Sequence, residues 1–209
     1  MNPFVYPKSR QQRTFNPRQY TRYQTYKRIL RLEFSGKCVY CHMPSSMRGY
    51  ASFGVDHYRP QQRFPELAVT YSNLYYCCST CNSAKGKYWP TTAALEKTHF
   101  LPNPCDHSMF EHLRFRGATV EARTTQGRVA LKLLDLNDPE TVEFRQLVLA
   151  SVEIWEDRKA QFLQKKEKAG RLVRAGKMTV AVAAEAVAEI DAELAKVDKY
   201  LKMYSGDPI

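Results

Sequence analysis

The sequence predicts an α+β fold in which a small metal-stabilised core lies between an N-terminal helix and a C-terminal helical hairpin. Two Cys-x-x-Cys pairs, at residues 38/41 and 78/81, indicate the stabilised core. Apolar residues three and four positions apart predict a helix over residues 19–34. The same spacing over residues 138–204, interrupted at 175–177, predicts two antiparallel helices. With 209 residues, 44% of them hydrophobic, the chain can bury a packed core.

Short extended stretches and one helix are predicted inside the core. Residues 55–58 are expected to be extended, and residues 64–72 to form a second short strand or an ordered loop. Asn73 is a favourable N-cap, so we expect a helix that runs from Asn73 through the second cysteine pair toward Lys85.

Downstream of the core, residues 118–123 alternate between apolar and polar side chains and are predicted to form a strand. Residues 131–136 are apolar and are predicted to be helical. Asp138-Pro139-Glu140 combines an N-cap, a first-turn proline and an acid near the helix dipole, so the first helix of the hairpin should begin there.

The formal net charge of +11 favours a polyanionic partner such as nucleic acid. Residues 1–35 contain eight cations and one anion, with basic and aromatic side chains interleaved. We expect Lys8, Arg10 and Arg13 to contact a phosphate backbone. In the alternative interpretation this terminus is frayed and its aromatic side chains pack locally. Residues 136–209 contain twelve cations and thirteen anions, which favours a protein partner over nucleic acid.

Four cysteines are predicted to bind one zinc ion, because each Cys-x-x-Cys pair brings two thiolates to an ion that takes four ligands. These ligands are Cys38, Cys41, Cys78 and Cys81. Cys77 fits less well, since its gap to Cys81 is three residues, and Cys105 is predicted to be a buried thiol without a partner. A four-cysteine site has no open coordination position, so catalysis would require a second metal ion.

The Asp56-His57 pair offers one acid and one base on adjacent residues. Histidine can act as a base near neutral pH, and carboxylate or amide oxygens are the ligands that Mg²⁺ prefers. Asn82 directly follows Cys81, so a zinc ion would fix its position. This combination predicts hydrolysis of phosphodiester bonds.

Val55-Asp56-His57-Tyr58-Arg59-Pro60, followed by Asn73-Leu74 and by Asn82 after the second cysteine pair, resembles the HNH endonucleases in their His-Asn-Asn variant. The resemblance implies a ββα-metal core in which His57 is the general base, Asp56 and Asn82 hold a catalytic Mg²⁺ or Mn²⁺, and Asn73 supports the loop that orients His57. It also implies phosphate contacts from Arg59, Lys85 and Lys87.

Asn103-Pro-Cys-Asp, Glu111-His112 and Leu134-Asp-Leu-Asn137 are similar to the nuclease subunits of bacterial anti-phage systems such as Septu, which work with an ATPase. The resemblance implies a larger protein partner, such as an ATPase subunit. The balanced charge of the C-terminal helices and the Ala/Val-rich stretch 180–188 predict that these helices form the contact. The chain then divides into a basic aromatic arm with the first helix (1–35), the zinc-stabilised HNH nuclease core (36–105), a mixed segment (106–137) and the helical hairpin (138–209).

The first hypothesis for function is therefore an Mg²⁺-dependent endonuclease that cleaves DNA, with RNA left open. The alternative is a catalytically inactive, zinc-stabilised module that binds nucleic acid or a partner. We also expect removal of residues 138–209 to abolish the partner contact while the zinc core stays folded. The sequence contains neither an apolar leader nor about 20 consecutive apolar residues, so we expect a cytoplasmic protein without a membrane contact.

Overall fold

The computed structural model describes residues 1–206 and has the predicted α+β architecture. The strands are β1 (Phe53–His57), β2 (Leu74–Cys78), β3 (Leu113–Arg116) and β4 (Thr119–Ala122). The helices are α1 (Lys27–Glu33), α2 (Ser45–Arg48), α3 (Ser79–Lys85), α4 (Ala93–Thr98), α5 (Met109–His112), α6 (Thr125–Leu133), α7 (Pro139–Arg174) and α8 (Val180–Ser205). None of the helices within residues 1–206 is both long enough and apolar enough to cross a membrane.

A ββα unit forms the centre of the fold. Strands β1 and β2 pair antiparallel, with Phe53 opposite Cys78 and His57 opposite Leu74. Helix α3 follows β2 without a loop, because the Cys78 sulfur accepts a hydrogen bond from the backbone N–H of Cys81 and so caps the helix. The unit therefore places the start of β1 beside the first turn of α3, and the ion pair between Asp56 and Lys85 joins the end of β1 to the end of α3.

The predicted helix start at Asn73 is wrong. Residues 74–78 form β2, and all five of its side chains are buried. Two of them are tyrosines, which favour a pleated and buried surface, and the strand completes its ladder with β1. The helix begins only after Cys78, and the Asn73 side chain bonds to a different loop.

The first helix is shorter than residues 19–34. A 3₁₀ turn at Tyr23–Tyr26 leads into α1, and the chain before it is extended at Arg22. In this extended stretch the backbone N–H of Tyr20 donates to the hydroxyl of Tyr26 at 2.9 Å, so a side chain rather than a helical carbonyl holds it.

The N-terminal arm packs against the core. Phe4 and Tyr6 are fully buried, so the interpretation in which aromatic side chains pack locally is correct for these two residues, although the terminus is not frayed. Farther along the arm, the Glu33 carboxylate accepts hydrogen bonds from the backbone N–H groups of Thr14 and Phe15. These bonds fix the arm to the end of α1.

The strand predicted at 118–123 is confirmed as β4, which pairs with β3 in a second two-stranded sheet. The helix predicted at 131–136 begins earlier and ends at Leu133, as α6. The hairpin is also confirmed, and Asp138 caps α7 by accepting a hydrogen bond from the N–H of Thr141.

Both helices of the hairpin contact the core, α7 near its start and α8 at its end. Val148 of α7 is buried in the main apolar cluster. At the far end of α8, the Ser46 hydroxyl donates to the carbonyl of Met203, and a Cβ atom on Gly36 would collide with the carbonyl oxygen of Gly206. This packing argues against the expectation that the core stays folded without residues 138–209.

Candidate active site and zinc centre

The four predicted zinc ligands meet at one point in the core. Within residues 1–206, the sulfur atoms of Cys38, Cys41, Cys78 and Cys81 all lie within 4.8 Å of one another, and all four residues are buried. Tetrahedral zinc with Zn–S bonds of about 2.3 Å requires sulfur atoms about 3.8 Å apart. The Cys41 and Cys78 sulfurs are 3.7 Å apart, so the cluster is suitable for zinc.

Without a bound metal ion, the thiols of the cluster differ in how readily they lose their protons. Burial raises the pKa of Cys38, and hydrogen bonding to the other cysteines, Cys38 first, raises the pKa of Cys81. The pKa of Cys78 is lowered because the neighbouring thiols, Cys38 first, donate to its sulfur. A bound metal ion is what would keep all four sulfurs deprotonated.

The two remaining cysteines stay outside this cluster. The Cys77 thiol is buried, lies 3.8 Å from the Cys38 sulfur and donates to the carbonyl of Cys78. Cys105 is half-buried, which corrects the expectation of a fully buried thiol.

Three of the four predicted catalytic residues border one cleft of about 290 Å³. Asp56 and His57 reach it from β1, and Asn82 reaches it from the first turn of α3. Polar side chains predominate among the other lining residues, which are Tyr23, Val55, Pro60, Gln61, Gln62, Ser83 and Gly86. The ββα unit therefore gathers these three side chains from β1 and α3, and Cys81 of the four-cysteine cluster directly precedes Asn82 in α3.

His57 is held in one orientation by two contacts. Its Nε2 lies 2.9 Å from the carbonyl oxygen of Ala68. The Tyr23 ring packs against the imidazole at 4.5 Å in an edge-to-face arrangement. Because a carbonyl oxygen only accepts hydrogen bonds, Nε2 carries the proton in the neutral ring and Nδ1 keeps its lone pair.

Asn73 lies behind the cleft and fastens the chain that follows His57. Its Oδ1 accepts from the backbone N–H of Arg59 at 2.8 Å, and its Nδ2 donates to the carbonyl of Arg59 at 3.0 Å. The same Nδ2 lies 3.3 Å from the carbonyl of Leu67, one residue before the Ala68 carbonyl that bonds His57.

Asp56 is bound on both carboxylate oxygens. Oδ2 accepts from the Tyr40 hydroxyl at 2.7 Å, and Oδ1 forms an ion pair with the Lys85 ammonium at 2.9 Å. Burial and then the charge of Asp56 raise the pKa of Tyr40, so its hydroxyl remains protonated and able to donate. An ionised carboxylate has about four lone-pair sites, so each oxygen can still accept one further partner.

Asn82 and Asp56 fit a hard divalent cation. Both offer oxygen atoms, the donor type that Mg²⁺ and Mn²⁺ prefer. Asn82 is half-buried, and its side chain makes no hydrogen bond within residues 1–206. The Lys85 ammonium is the competing feature, because it already neutralises the charge of Asp56.

The expectation that Lys85 contacts phosphate is wrong, because Lys85 is buried. Its side chain is only 1% exposed, and besides Asp56 it donates to the carbonyl of His57 at 2.6 Å. The sequence predicts an exposed cation here, but the helical turn after Asn82 directs residue 85 into the core. Lys85 instead ties α3 to β1.

Arg59 and Lys87 are exposed, as phosphate contacts must be. The Arg59 guanidinium lies over two aromatic rings, 5.4 Å from the centre of Trp89 and 5.7 Å from that of Phe64. A guanidinium stacked in this way keeps its in-plane N–H donors available for phosphate oxygens.

The basic residues of the arm separate into two groups. Lys8 and Arg10 are exposed. Arg13 is half-buried, donates to the carbonyl of Leu74 at 2.8 Å, and lies 4.8 Å and 4.7 Å from the ring centres of Tyr71 and Tyr75. The expectation that Arg13 contacts phosphate is therefore at odds with its place in the protein, where it fastens the arm to β2.

Sequence reasoning missed three residues of this site. Tyr40 bonds Asp56, Tyr23 packs on His57, and the Ala68 carbonyl orients the imidazole. Tyr40 lies inside the first cysteine pair, a position that a search around the zinc ligands would have singled out. Ala68 contributes only its backbone, so its side chain gives no signal.

Residues 38–88 match the family model of the HNH endonuclease. The Septu protein PtuB of Bacillus mycoides (strain KBAB4) is 25% identical over an alignment of 158 residues, which covers 63% of this chain and 53% of that protein. The Septu protein PtuB of Bacillus thuringiensis is 24% identical over 127 residues, with 60% and 47% coverage. The chain thus spans about half the length of the curated relatives it matches. No solved structure is a significant match.

Proposed function

We propose that this chain is a metal-dependent endonuclease that hydrolyses phosphodiester bonds of DNA. The observation that carries the proposal is the shared cleft of Asp56, His57 and Asn82, within a segment that matches the HNH endonuclease. These residues supply a base and two oxygen donors, which are the parts that hydrolysis of a phosphodiester requires.

In this proposal His57 is the general base. Its Nε2–H is held by the Ala68 carbonyl, so Nδ1 takes the proton from a water that attacks the phosphorus atom. The new P–O bond forms as the scissile P–O bond breaks. Asn73 bonds the backbone two residues after His57 and so keeps the imidazole in the geometry that the reaction requires.

Asp56 and Asn82 are the proposed ligands of the catalytic Mg²⁺ or Mn²⁺. When bound, this ion would supply positive charge to the phosphate oxygens. Tyr40 and Lys85 hold the Asp56 carboxylate in position from the protein side. Arg59 and Lys87, both exposed, are the proposed contacts to neighbouring phosphates. Such contacts position the strand and carry no sequence information, so the proposal does not include a recognition sequence.

A nicking assay separates this proposal from its alternative, an inactive zinc-stabilised binding module. Supercoiled plasmid is incubated with Mg²⁺ or Mn²⁺ and with wild type, His57→Ala or His99→Ala. His99 is exposed and does not border the cleft, which makes it the matched control. We expect cleavage by wild type and His99→Ala and at least a hundredfold loss in His57→Ala. The same assay with an RNA of equal length tests the substrate, and we expect faster cleavage of DNA than of RNA.

Absence of cleavage by the wild type, with or without a partner protein, would favour the inactive module. Equal cleavage by wild type and His57→Ala would leave a nuclease in place but remove His57 as its base. Loss of activity with a chelator must be read against zinc content, since removal of the zinc ion would also unfold the core.

We further propose that the chain is the nuclease subunit of a bacterial anti-phage system and acts with a larger protein such as an ATPase. Support comes from the two relatives named as Septu proteins. The hairpin also exposes large apolar side chains, including Ile154 at 65% and Val180 at 72% exposure. Co-purification from the native host should recover a partner with the wild type and lose it with Ile154→Glu. Recovery of the same partner by both would remove the hairpin from that contact.

A further inference from the structure

Arg145 is a buried cation whose hydrogen bonding is incomplete. It lies on α7, is fully buried, and donates from Nη1 to the carbonyls of Ala118 at 2.9 Å and Leu136 at 2.7 Å. Its Nε and Nη2 atoms have no partner within residues 1–206. No carboxylate in this part of the chain lies within ion-pair distance of the guanidinium. A buried charge without a counterion is rare, so its partner needs to be identified.

The zinc cluster is the neighbour that can supply the missing negative charge. Arg145 borders a cavity of about 10 Å³, and three zinc ligands, Cys41, Cys78 and Cys81, border the same cavity. Four thiolates around one Zn²⁺ carry a net charge of −2. Asp135 also borders the cavity, but its side chain forms no ion pair with Arg145.

The surroundings of the guanidinium exclude bulk water from this pair of charges. The guanidinium carbon lies 5.4 Å from the ring centre of Phe115 and 6.0 Å from that of Phe4. Rings that face a guanidinium do not accept its in-plane N–H groups, so these contacts orient Arg145 without satisfying Nε and Nη2. Tyr6 lies close to both charges. Burial has the largest effect and raises the pKa of its phenol, Cys41 raises it further, and Arg145 lowers it.

We propose that Arg145 is the counterion of the zinc tetrathiolate and acts on it across the cavity that Arg145 shares with Cys41, Cys78 and Cys81. The cavity of about 10 Å³ has room for about one water molecule, which can accept a hydrogen bond from the free guanidinium N–H groups and donate one to a cysteine sulfur. Arg145 is a positioning residue in this arrangement. Because it belongs to α7, zinc binding and docking of the hairpin stabilise each other. The proposal is independent of the nuclease activity.

The test measures metal binding by the full-length protein. Zinc affinity is obtained by competition with a chelator, and the energy of the sulfur-to-metal charge-transfer band is read from the Co²⁺-substituted protein. The variants are Arg145→Met, which removes the charge, and Arg145→Lys, which keeps the charge but loses the fork of donors. Arg158→Met is the matched control, since Arg158 is exposed on the outer part of α7.

We expect Arg145→Met to bind zinc at least tenfold more weakly than wild type, in line with other residues that hydrogen bond to metal ligands. Its charge-transfer band should shift, whereas Arg158→Met should match wild type in both measurements. Arg145→Lys should lose less affinity yet still shift the band, because an ammonium donates with a different geometry. A purely structural Arg145 would change stability without moving the band.

Wild-type affinity and an unshifted band in Arg145→Met would overturn the proposal. If Arg145→Met does not fold, the charge-transfer band of Arg145→Lys alone tests the proposal. A shifted band in that variant supports the proposal, and a band at the wild-type energy overturns it.

Discussion

The side-chain amide of Asn73 is hydrogen bonded at both ends to the backbone of Arg59, with Oδ1 accepting at 2.8 Å and Nδ2 donating at 3.0 Å. This pair joins the end of β1 to the chain that enters β2. Two anchors hold the backbone at and just after His57, since Lys85 donates to the His57 carbonyl and Asn73 bonds the residue two positions later. The orientation of the imidazole thus depends on an asparagine that does not border the cleft.

Removal of this amide should lower both the cleavage rate and the stability of the protein. We expect Asn73→Ala to lower the cleavage rate at least tenfold, because the imidazole loses its fixed orientation. The free energy of unfolding should fall by about 1–3 kcal/mol, the cost of leaving buried backbone groups unsatisfied. Nicking kinetics and denaturant unfolding measure the two effects. Asn16→Ala, at an exposed position, is the control. An unchanged cleavage rate in Asn73→Ala would remove this residue from the proposed mechanism.

The adjacent cysteines Cys77 and Cys78 give a sharp test of the zinc site. Both are buried, but only Cys78 belongs to the cluster. We expect Cys78→Ala to lose most of its zinc and its cooperative unfolding, because metal binding contributes directly to folding at such sites. Cys77→Ala should keep one zinc ion per chain and lose only the packing of one sulfur atom. Metal analysis of the purified proteins measures the difference, and equal zinc content in both variants would contradict the assignment.

The two lysines after Asn82 should behave in opposite ways. Lys85→Met leaves Asp56 charged and unpaired inside the protein, so we expect a loss of about 3–5 kcal/mol in stability. Lys87→Met changes an exposed residue and should leave stability within about 0.5 kcal/mol of wild type. Its expected effect is on DNA affinity, with the salt dependence of binding reduced by about one charge. If Lys87→Met were the more destabilising of the two, the buried ion pair would not be important.

Glu33 should make the attachment of the arm depend on pH. Burial by itself raises the pKa of Glu33, but the backbone N–H of Thr14, the Tyr71 hydroxyl and the N–H of Phe15 outweigh it and lower the pKa below its ordinary value. A lowered pKa means that the stabilisation is present above the unfolded-state pKa of about 4.3 and is lost as pH falls through the folded-state value.

The comparison that isolates this effect is wild type against Glu33→Gln. The difference in their free energies of unfolding should be largest above about pH 5 and should shrink as the pH is lowered below about 4. Protonation of the zinc ligands in acid affects both proteins equally and cancels in the difference. A difference that is constant from pH 6 to pH 3 would show that Glu33 is not the group that titrates.

The sequence predicted the four-cysteine cluster and the hairpin well because both depend on local spacing. Two Cys-x-x-Cys pairs fix a tetrahedral donor set wherever the chain between them runs, and a 3.6-residue period identifies long helices. The error at Asn73 has a different origin. A favourable N-cap gives a local signal, but pairing of residues 74–78 with β1 is a contact between distant segments, and burial of that strand outweighs the local preference.

The roles of Lys85 and Arg13 could not be predicted for a related reason. A charged residue in a sequence indicates an exposed side chain unless its partner is known. The partner of Lys85 is Asp56, which is 29 positions away, and the partners of Arg13 include the carbonyl of Leu74 and the ring of Tyr75, both on β2. Such pairings appear only once β1, β2 and α3 are assembled.

The most direct test of the account is whether an imidazole in the cleft is the base. Replacement of His57 by glycine leaves a space beside Tyr23 that free imidazole can enter. The account predicts that His57→Gly cleaves plasmid DNA at least a hundredfold more slowly than wild type and that added imidazole restores part of the rate, with the restored activity rising with the fraction of neutral imidazole. Cleavage by His57→Gly at the wild-type rate, without imidazole, would contradict it.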